Sequence, residues 1–156
     1  MAPQVSVIGS GSEHEAVAEE IGRLLAASGC TVVTGGLGGV MAAAHRGAKA
    51  AGGTTIAILP GEEHDAANAW ADHIVVTGIG HARNLAVAAT GHGVIAVGGS
   101  YGTLTEVAFA LRLGRPLVSL DGPTVDGVPR AGSAREAVAM LLAALADRGV
   151  VSSRPD

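Results

Sequence analysis

The residue types in this chain of 156 that could do chemistry sit in three glycine-rich turns and at two charged positions beside them. The turns are Gly9-Ser10-Gly11-Ser12, Gly35-Gly36-Leu37-Gly38-Gly39 and Gly98-Gly99-Ser100-Tyr101-Gly102-Thr103. Glycine lets a backbone approach a ligand closely, and a following helix offers unpaired N–H groups and the positive end of its dipole to an anion. Taken singly, each turn reads as tight turning or close helix–sheet packing. Three of them at one edge of a sheet point instead to a phosphate-bearing ligand.

Glu106 stands three residues after Thr103, so on a helix the two share a face. A carboxylate there could stabilise developing positive charge or orient an attacking water. The run Thr103-Leu104-Thr105-Glu106 also fits a capping box, in which Glu106 would serve the N-cap amide. Arg83 opens an expected helix over 81–90, where a cation opposes the helix dipole at a cost of about 0.3–1 kcal/mol. It faces an anion there, Glu106 or a ligand phosphate, or it is an ordinary solvent-exposed arginine. His81, two residues earlier, is a candidate for the same mouth.

Several chemistries are excluded by pattern. A G-x-G-x-x-G would need glycine where His14 stands, and no acidic residue ends the run Thr31–Thr34, which disfavours a dinucleotide dehydrogenase. No G-x-x-x-x-G-K-[ST] occurs, which removes a P-loop NTPase. The six histidines never fall at H-x-x-x-H spacing, so no metal site is expected. Cys30 begins a buried strand and reads as an inert core residue, and Glu62-Glu63-His64-Asp65 as a solvated acidic loop.

These residues must be held by a frame, and alternating patterns supply one. Val5–Ile8, Thr31–Thr34, Thr54–Leu59, His73–Thr77, Val94–Val97 and Pro116–Leu120 are short Val- and Ile-rich runs, apolar on both faces, as strands of a helix-covered parallel sheet should be. Between them lie helical spacings: Val17, Ile21, Leu24 and Ser28 with a stop at Gly29; Leu104, Val107, Ala108 and Leu111 within 102–113; and Val138, Leu141, Leu142 and Leu145. The expected fold is a single α/β domain over 1–151, a Rossmann-like, doubly wound open parallel sheet with helices on both faces. Gly61–Asn68 and Asp121–Gly132 read as surface loops, and 152–156 as a tail. In such a sheet the ligand crevice lies beyond the carboxyl ends of the strands, where the glycine turns are.

Composition bounds the partners. Hydrophobic residues make up 48% and charged residues 15%, which rules out a disordered chain. No apolar run approaches the ~18 residues of a spanning helix, and no basic n-region precedes an apolar stretch, so no membrane and a cytoplasmic location are expected. The net charge is −4, with one lysine and only Trp70, Tyr101 and Phe109 as aromatics, a poor endowment for polymeric nucleic acid. The segments Leu85–Thr90 and Val40–Ala44 are small and apolar nearly all round, which suits burial in the fold or against a second subunit.

Three motifs in order, Thr34-Gly35-Gly36-Leu37-Gly38-Gly39-Val40-Met41, Gly80-His81-Ala82-Arg83-Asn84 and Gly98-Gly99-Ser100-Tyr101-Gly102-Thr103-Leu104-Thr105-Glu106, resemble the Lonely Guy (LOG) family, formerly mislabelled lysine decarboxylases. The resemblance runs to about Leu120. It implies a Rossmann-like fold, a homodimer, and hydrolysis of a nucleoside 5′-monophosphate to free base and ribose 5-phosphate without a cofactor. It implies Glu106 and Arg83 as the catalytic pair. With it, the residues expected to hold the phosphorylated ligand are Gly9, Ser10, Gly11, Gly35, Gly36, Gly39, Met41, Arg83, Asn84, Gly98, Gly99, Ser100, Tyr101, Gly102 and Thr103. The motifs depart from the hydrolases at Gly98 (proline there), Ser100 and Thr34 (glycines there) and Asn84 (lysine there). In this they look more like the short branch that includes molybdenum cofactor carrier proteins, which implies the alternative of a non-catalytic carrier or sensor.

Overall fold

The computed structural model describes residues 1–152; of the expected tail, 153–156 lie outside the described residues. Six strands, β1 (Gln4–Ile8), β2 (Thr31–Thr34), β3 (Thr55–Leu59), β4 (His73–Val76), β5 (Gly93–Val97) and β6 (Leu117–Leu120), form one all-parallel sheet. Five helices connect and cover them: α1 (Glu15–Ala27), α2 (Val40–Ala50), α3 (Arg83–Thr90), α4 (Tyr101–Arg112) and α5 (Ala134–Asp147). The order across the sheet is β4-β3-β2-β1-β5-β6. The chain winds outward from β1 in one direction, then crosses by α3 to wind outward in the other. The switch point therefore falls between β1 and β5, where the connections leave on opposite faces and a crevice opens.

Side-chain alternation along each strand divides the core. Val5, Val7, Ile95, Val97, Val118 and Leu120 face α1, α2 and α5, while Ile8, Val33, Val94, Ala96 and Leu117 face α3 and α4. Buried Ser6 points to the second side and donates to the Val87 carbonyl of α3 at 2.6 Å. α1 and α2 pack backbone to backbone through small residues. A Cβ at Gly22 would lie 1.9 Å from the Ala44 carbonyl oxygen, and one at Gly47 would lie 1.8 Å from that of Glu19.

Three details differ from the sequence reading. β4 is not buried on both faces: it is the sheet edge, and Val75 is 48% exposed. The apolar stripe expected on α4 is turned largely outward. Ala108 and Leu111 are exposed and Leu104 is half-buried, whereas Thr103, Glu106, Val107 and Ala110 are buried. Polar Thr103 and Glu106 occupy the inner face because that face borders the crevice as well as the sheet. The expected loop 61–68 contains a single 3₁₀ turn, His64–Ala66, and ends on Asn68, which is firmly tied to the Gly35–Gly39 turn.

Candidate functional site

The three glycine turns follow β2, β1 and β5, three strands adjacent in the sheet, so the topology brings them side by side. Between them lies a cleft of about 150 Å³ of water-sized space, lined by Ile8, Gly9, Ser10, Gly35, Met41, His81, Arg83, Asn84, Ser100, Gly102, Thr103 and Glu106. The turns after β1 and β5 meet directly: Ser10 Oγ donates to Ser100 Oγ at 3.0 Å. Gly9 has φ +152°, and a Cβ there would lie 2.3 Å from the Val97 carbonyl oxygen, so only glycine lets the two turns close.

The N-terminus of α4 aims into this cleft. Its cap is not the box over 103–106 that the sequence suggests. Ser100 is the N-cap and Thr103 its partner, with the Ser100 amide donating to Thr103 Oγ1 at 3.4 Å. This moves the N-cap three residues earlier, accounts for Thr103 as a structural residue and leaves Glu106 without a capping role. Among the described residues the N–H groups of Gly99, Tyr101 and Gly102 donate to no protein acceptor. They are the orphan donors that a helix start presents to an anion.

Arg83 is not an exposed surface arginine. It is 8% exposed, the first residue of α3 after the 3₁₀ turn Gly80–Ala82. Its Nη1 donates to Asn84 Oδ1 and its Nη2 to the Gly35 carbonyl at 3.3 Å, while Nε is buried with no partner. A Cβ on Gly35 would lie 2.7 Å from Nη2 and 2.8 Å from Met41 Sδ, so this glycine supplies the room the guanidinium occupies. Asn84 is itself held by donation to Thr105 Oγ1 at 3.0 Å. Burial lowers the Arg83 pKa, and the nearby Glu106 charge offsets part of that; the group stays cationic.

Glu106 is 7% exposed and lies on the cleft wall. Among the described residues its carboxylate accepts no hydrogen bond and forms no direct ion pair with Arg83. Burial pushes its pKa up to about 7, against an opposing pull from the Arg83 charge. At neutral pH it is divided between acid and carboxylate, the state in which a group can give or take a proton. The cleft thus holds a permanent buried cation and a half-neutral acid, a charge balance that a bound anion would complete.

The remaining expected residues are placed as follows. Gly36, Gly39 and Gly98 lie outside the cleft lining in packing roles, while Gly11 is exposed, with open space where a Cβ would stand and its carbonyl accepting the Val40 amide at 3.1 Å. A Cβ at Gly36 would strike Ala57 and Leu59, one at Gly39 the Gly11 carbonyl, and one at Gly98 the His14 ring. Gly99 and Tyr101 line an adjoining shelf with Ser100, Leu104 and Pro123, and Tyr101 is 89% exposed. His81 reaches the rim. Cys30 is buried and its thiol pKa is pushed up to about 11 by that burial, which keeps it unreactive. Among the described residues there is no cluster of metal ligands.

Beneath the Gly35 turn lies a polar group that sequence reasoning missed. His45, fully buried on α2, has Nε2 3.1 Å from Thr34 Oγ1, which accepts the Gly36 N–H at 3.0 Å. Its Nδ1 is 3.3 Å from Asn68 Oδ1, and Asn68 Nδ2 donates to the carbonyls of Gly36 and Leu37 at 3.3 and 3.2 Å. The available signal was one histidine in the otherwise small and apolar run Val40–Ala44 and beyond.

The fold has counterparts among known proteins. The chain is similar to the molybdenum cofactor binding protein of the phototrophic bacterium Rippkaea orientalis, with 32% identity and a TM-score of 0.88 over 93% of this chain and 98% of that one. It is similar also to the molybdenum cofactor carrier protein of Chlamydomonas reinhardtii, with 34% identity and a TM-score of 0.86 over 94% and 99%. A protein of Archaeoglobus fulgidus described as uncharacterised is 43% identical over 125 residues, 78% of this chain and 82% of that protein. The resemblance carried by the three motifs therefore holds, on the side of the carrier branch. A model of the SLOG cluster4 family matches residues 2–147, and the chain belongs to that family.

Proposed function

We propose that this protein binds a small phosphorylated heterocycle in the cleft and holds it intact, as a carrier of molybdenum cofactor or a related pterin or nucleotide phosphate. The observation that carries this reading is Arg83: a cation 92% withdrawn from water, its Nε unpartnered, beside the free amides of Tyr101 and Gly102. A buried charge without a counterion is costly, and a phosphate seated here would supply it. The exposed ring of Tyr101 and the apolar shelf beside it suit the planar part of such a ligand.

Carriage is preferred to phosphoribohydrolysis because the cleft offers one carboxylate and no buried partner acid, and because the similar solved structures are described as a molybdenum cofactor binding protein and a molybdenum cofactor carrier protein. One observation supports hydrolysis as a second reading: Glu106 faces the cleft with no other bond to make. The deciding experiment incubates the protein with molybdenum cofactor and with AMP, GMP, CMP, UMP and IMP, then separates the products by chromatography. Intact ligand eluting with the protein supports carriage. Free base released by the wild type and not by Glu106→Gln would replace carriage with hydrolysis.

The same reading extends to assembly and location. Leu85 (43% exposed), Ala108 and Leu111 put apolar surface on the outer side of α3 and α4. A homodimer formed through that side would cover it; a monomeric mass by light scattering at micromolar concentration would overturn this. Among the described residues no helix is long and apolar enough to cross a membrane; a cytoplasmic location is part of the proposed reading, and cell fractionation tests it.

A further inference from the structure

We propose that Thr34, His45 and Asn68 form a positioning relay, built of neutral groups beneath the cleft, that sets the Gly35–Leu37 turn and, through the Gly35 carbonyl, the direction of the Arg83 guanidinium. The relay rests on the reading of the cleft as an anion site only for its binding readout; its geometry stands by itself.

The relay assigns a direction to each of its hydrogen bonds. Asn68 Nδ2 has two protons, and two carbonyls, of Gly36 and Leu37, receive them. His45 Nδ1 lies 3.3 Å from Asn68 Oδ1 and 3.2 Å from Nδ2; with both Nδ2 protons on the carbonyls the relay takes Oδ1 as acceptor, so His45 Nδ1 carries the ring proton and donates to it. Nε2 is left as an acceptor, and the Thr34 hydroxyl, which already accepts from the Gly36 amide, donates its own proton there. The chain of donors runs from Gly36 N–H to Thr34, to His45, to Asn68 and back to the carbonyls of Gly36 and Leu37. It closes a ring around the turn. Both polar ends of Gly36 are consumed, so the peptide cannot rotate. Rotation would be needed to withdraw the preceding carbonyl, that of Gly35, from Arg83 Nη2. Asn68 is anchored in turn by its own amide, which donates to the Gly36 carbonyl at 2.8 Å, and by the Trp70 amide on its Oδ1 at 3.1 Å. The assigned directions call for a neutral imidazole, since an Nε2 proton would turn the Thr34–His45 bond round and take away the acceptor of the Thr34 hydroxyl proton.

Thr34 is where the sequence leaves the glycine of the resembling hydrolases, and the relay gives that threonine a role: its hydroxyl is the only side-chain acceptor within reach of the Gly36 amide among the described residues. Three substitutions test it. Thr34→Ser keeps the hydroxyl; Thr34→Val keeps the shape and loses it; Asn68→Ala removes the two donors on the carbonyls. Titration with ribose 5-phosphate is expected to show affinity within about twofold of wild type for Thr34→Ser, and at least tenfold weaker for Thr34→Val and Asn68→Ala. A proton–nitrogen NMR correlation on the wild type is expected to show His45 as the Nδ1–H tautomer, with the Arg83 Nε–H resonance moved by Thr34→Val and restored in Thr34→Ser. The Nε2–H tautomer, or an Arg83 resonance unmoved by Thr34→Val, would overturn the relay whatever the ligand result. Should wild type fail to bind ribose 5-phosphate, the anion reading of the cleft falls, and the NMR measurements still decide the relay.

Discussion

Replacing Glu106 by glutamine should stabilise the protein at alkaline pH and leave it nearly unchanged in acid. Glu106 has an ordinary value of 4.5 when exposed and about 7 when folded. A carboxyl whose pKa is raised by folding binds more protons native than unfolded between those values, so it withdraws stability as pH rises from 4.5 through 7. At 1.36 kcal/mol for each pH unit of difference, the full penalty above pH 7 is about 3 kcal/mol. His45 acts in the opposite sense. Burial lowers its pKa from 6.5 to about 4, so its contribution is complete above 6.5 and is lost as pH falls toward 4, again by about 3 kcal/mol. Between pH 4.5 and 6.5 the two slopes oppose each other, and the wild-type profile should be almost flat there. Urea unfolding of wild type and Glu106→Gln across pH 4.5–9 separates them. The difference between the two proteins should grow in favour of the variant by about 3 kcal/mol from pH 4.5 to pH 8. The variant alone should show a stability that rises with pH up to 6.5. A wild-type-minus-variant difference that stays level across that range would refute the placement of a desolvated carboxyl at this point.

Two further outcomes follow from the packing and the site. Gly47→Ala puts a methyl 1.8 Å from the Glu19 carbonyl where α1 and α2 touch, and should cost about 3 kcal/mol or more in chemical denaturation, as overpacked helix contacts do. Tyr101→Ala should leave the affinity for ribose 5-phosphate within twofold while weakening a phosphorylated heterocycle by roughly 5- to 150-fold, the range for loss of one stacking platform of about 1–3 kcal/mol. Calorimetry with the two ligand types checks it, and equal losses for both would remove Tyr101 from the heterocycle subsite.

Most of the frame could be read from the chain because each strand is a short apolar run ended by a glycine turn, and α1, α4 and α5 each show a helical apolar spacing. What periodicity could not supply was which apolar side of α4 faces inward. Leu104, Ala108 and Leu111 form the better stripe by hydropathy, yet Thr103 and Glu106 are buried, because cleft and sheet share that face. Spacing likewise put the cap of α4 at Thr103, one box too late, since Thr103 has the glutamate at N3 that the box asks for, whereas Ser100 has Thr103 there and its hydroxyl does the same work. The burial of Arg83 was invisible locally: it depends on room left by Gly35, 48 residues away. His45 and Asn68 were missed for the same reason, since neither spacing nor motif joins residues 23 apart.

The central claim is that the cleft recognises phosphate through Arg83 and the start of α4. Its most direct test is a calorimetric comparison of ribose 5-phosphate with ribose, on wild type and on Arg83→Met. The account predicts binding of ribose 5-phosphate to wild type alone, with ribose at least 100-fold weaker and Arg83→Met folded but unresponsive. Equal affinity for ribose and its phosphate, or full affinity retained by Arg83→Met, would contradict it.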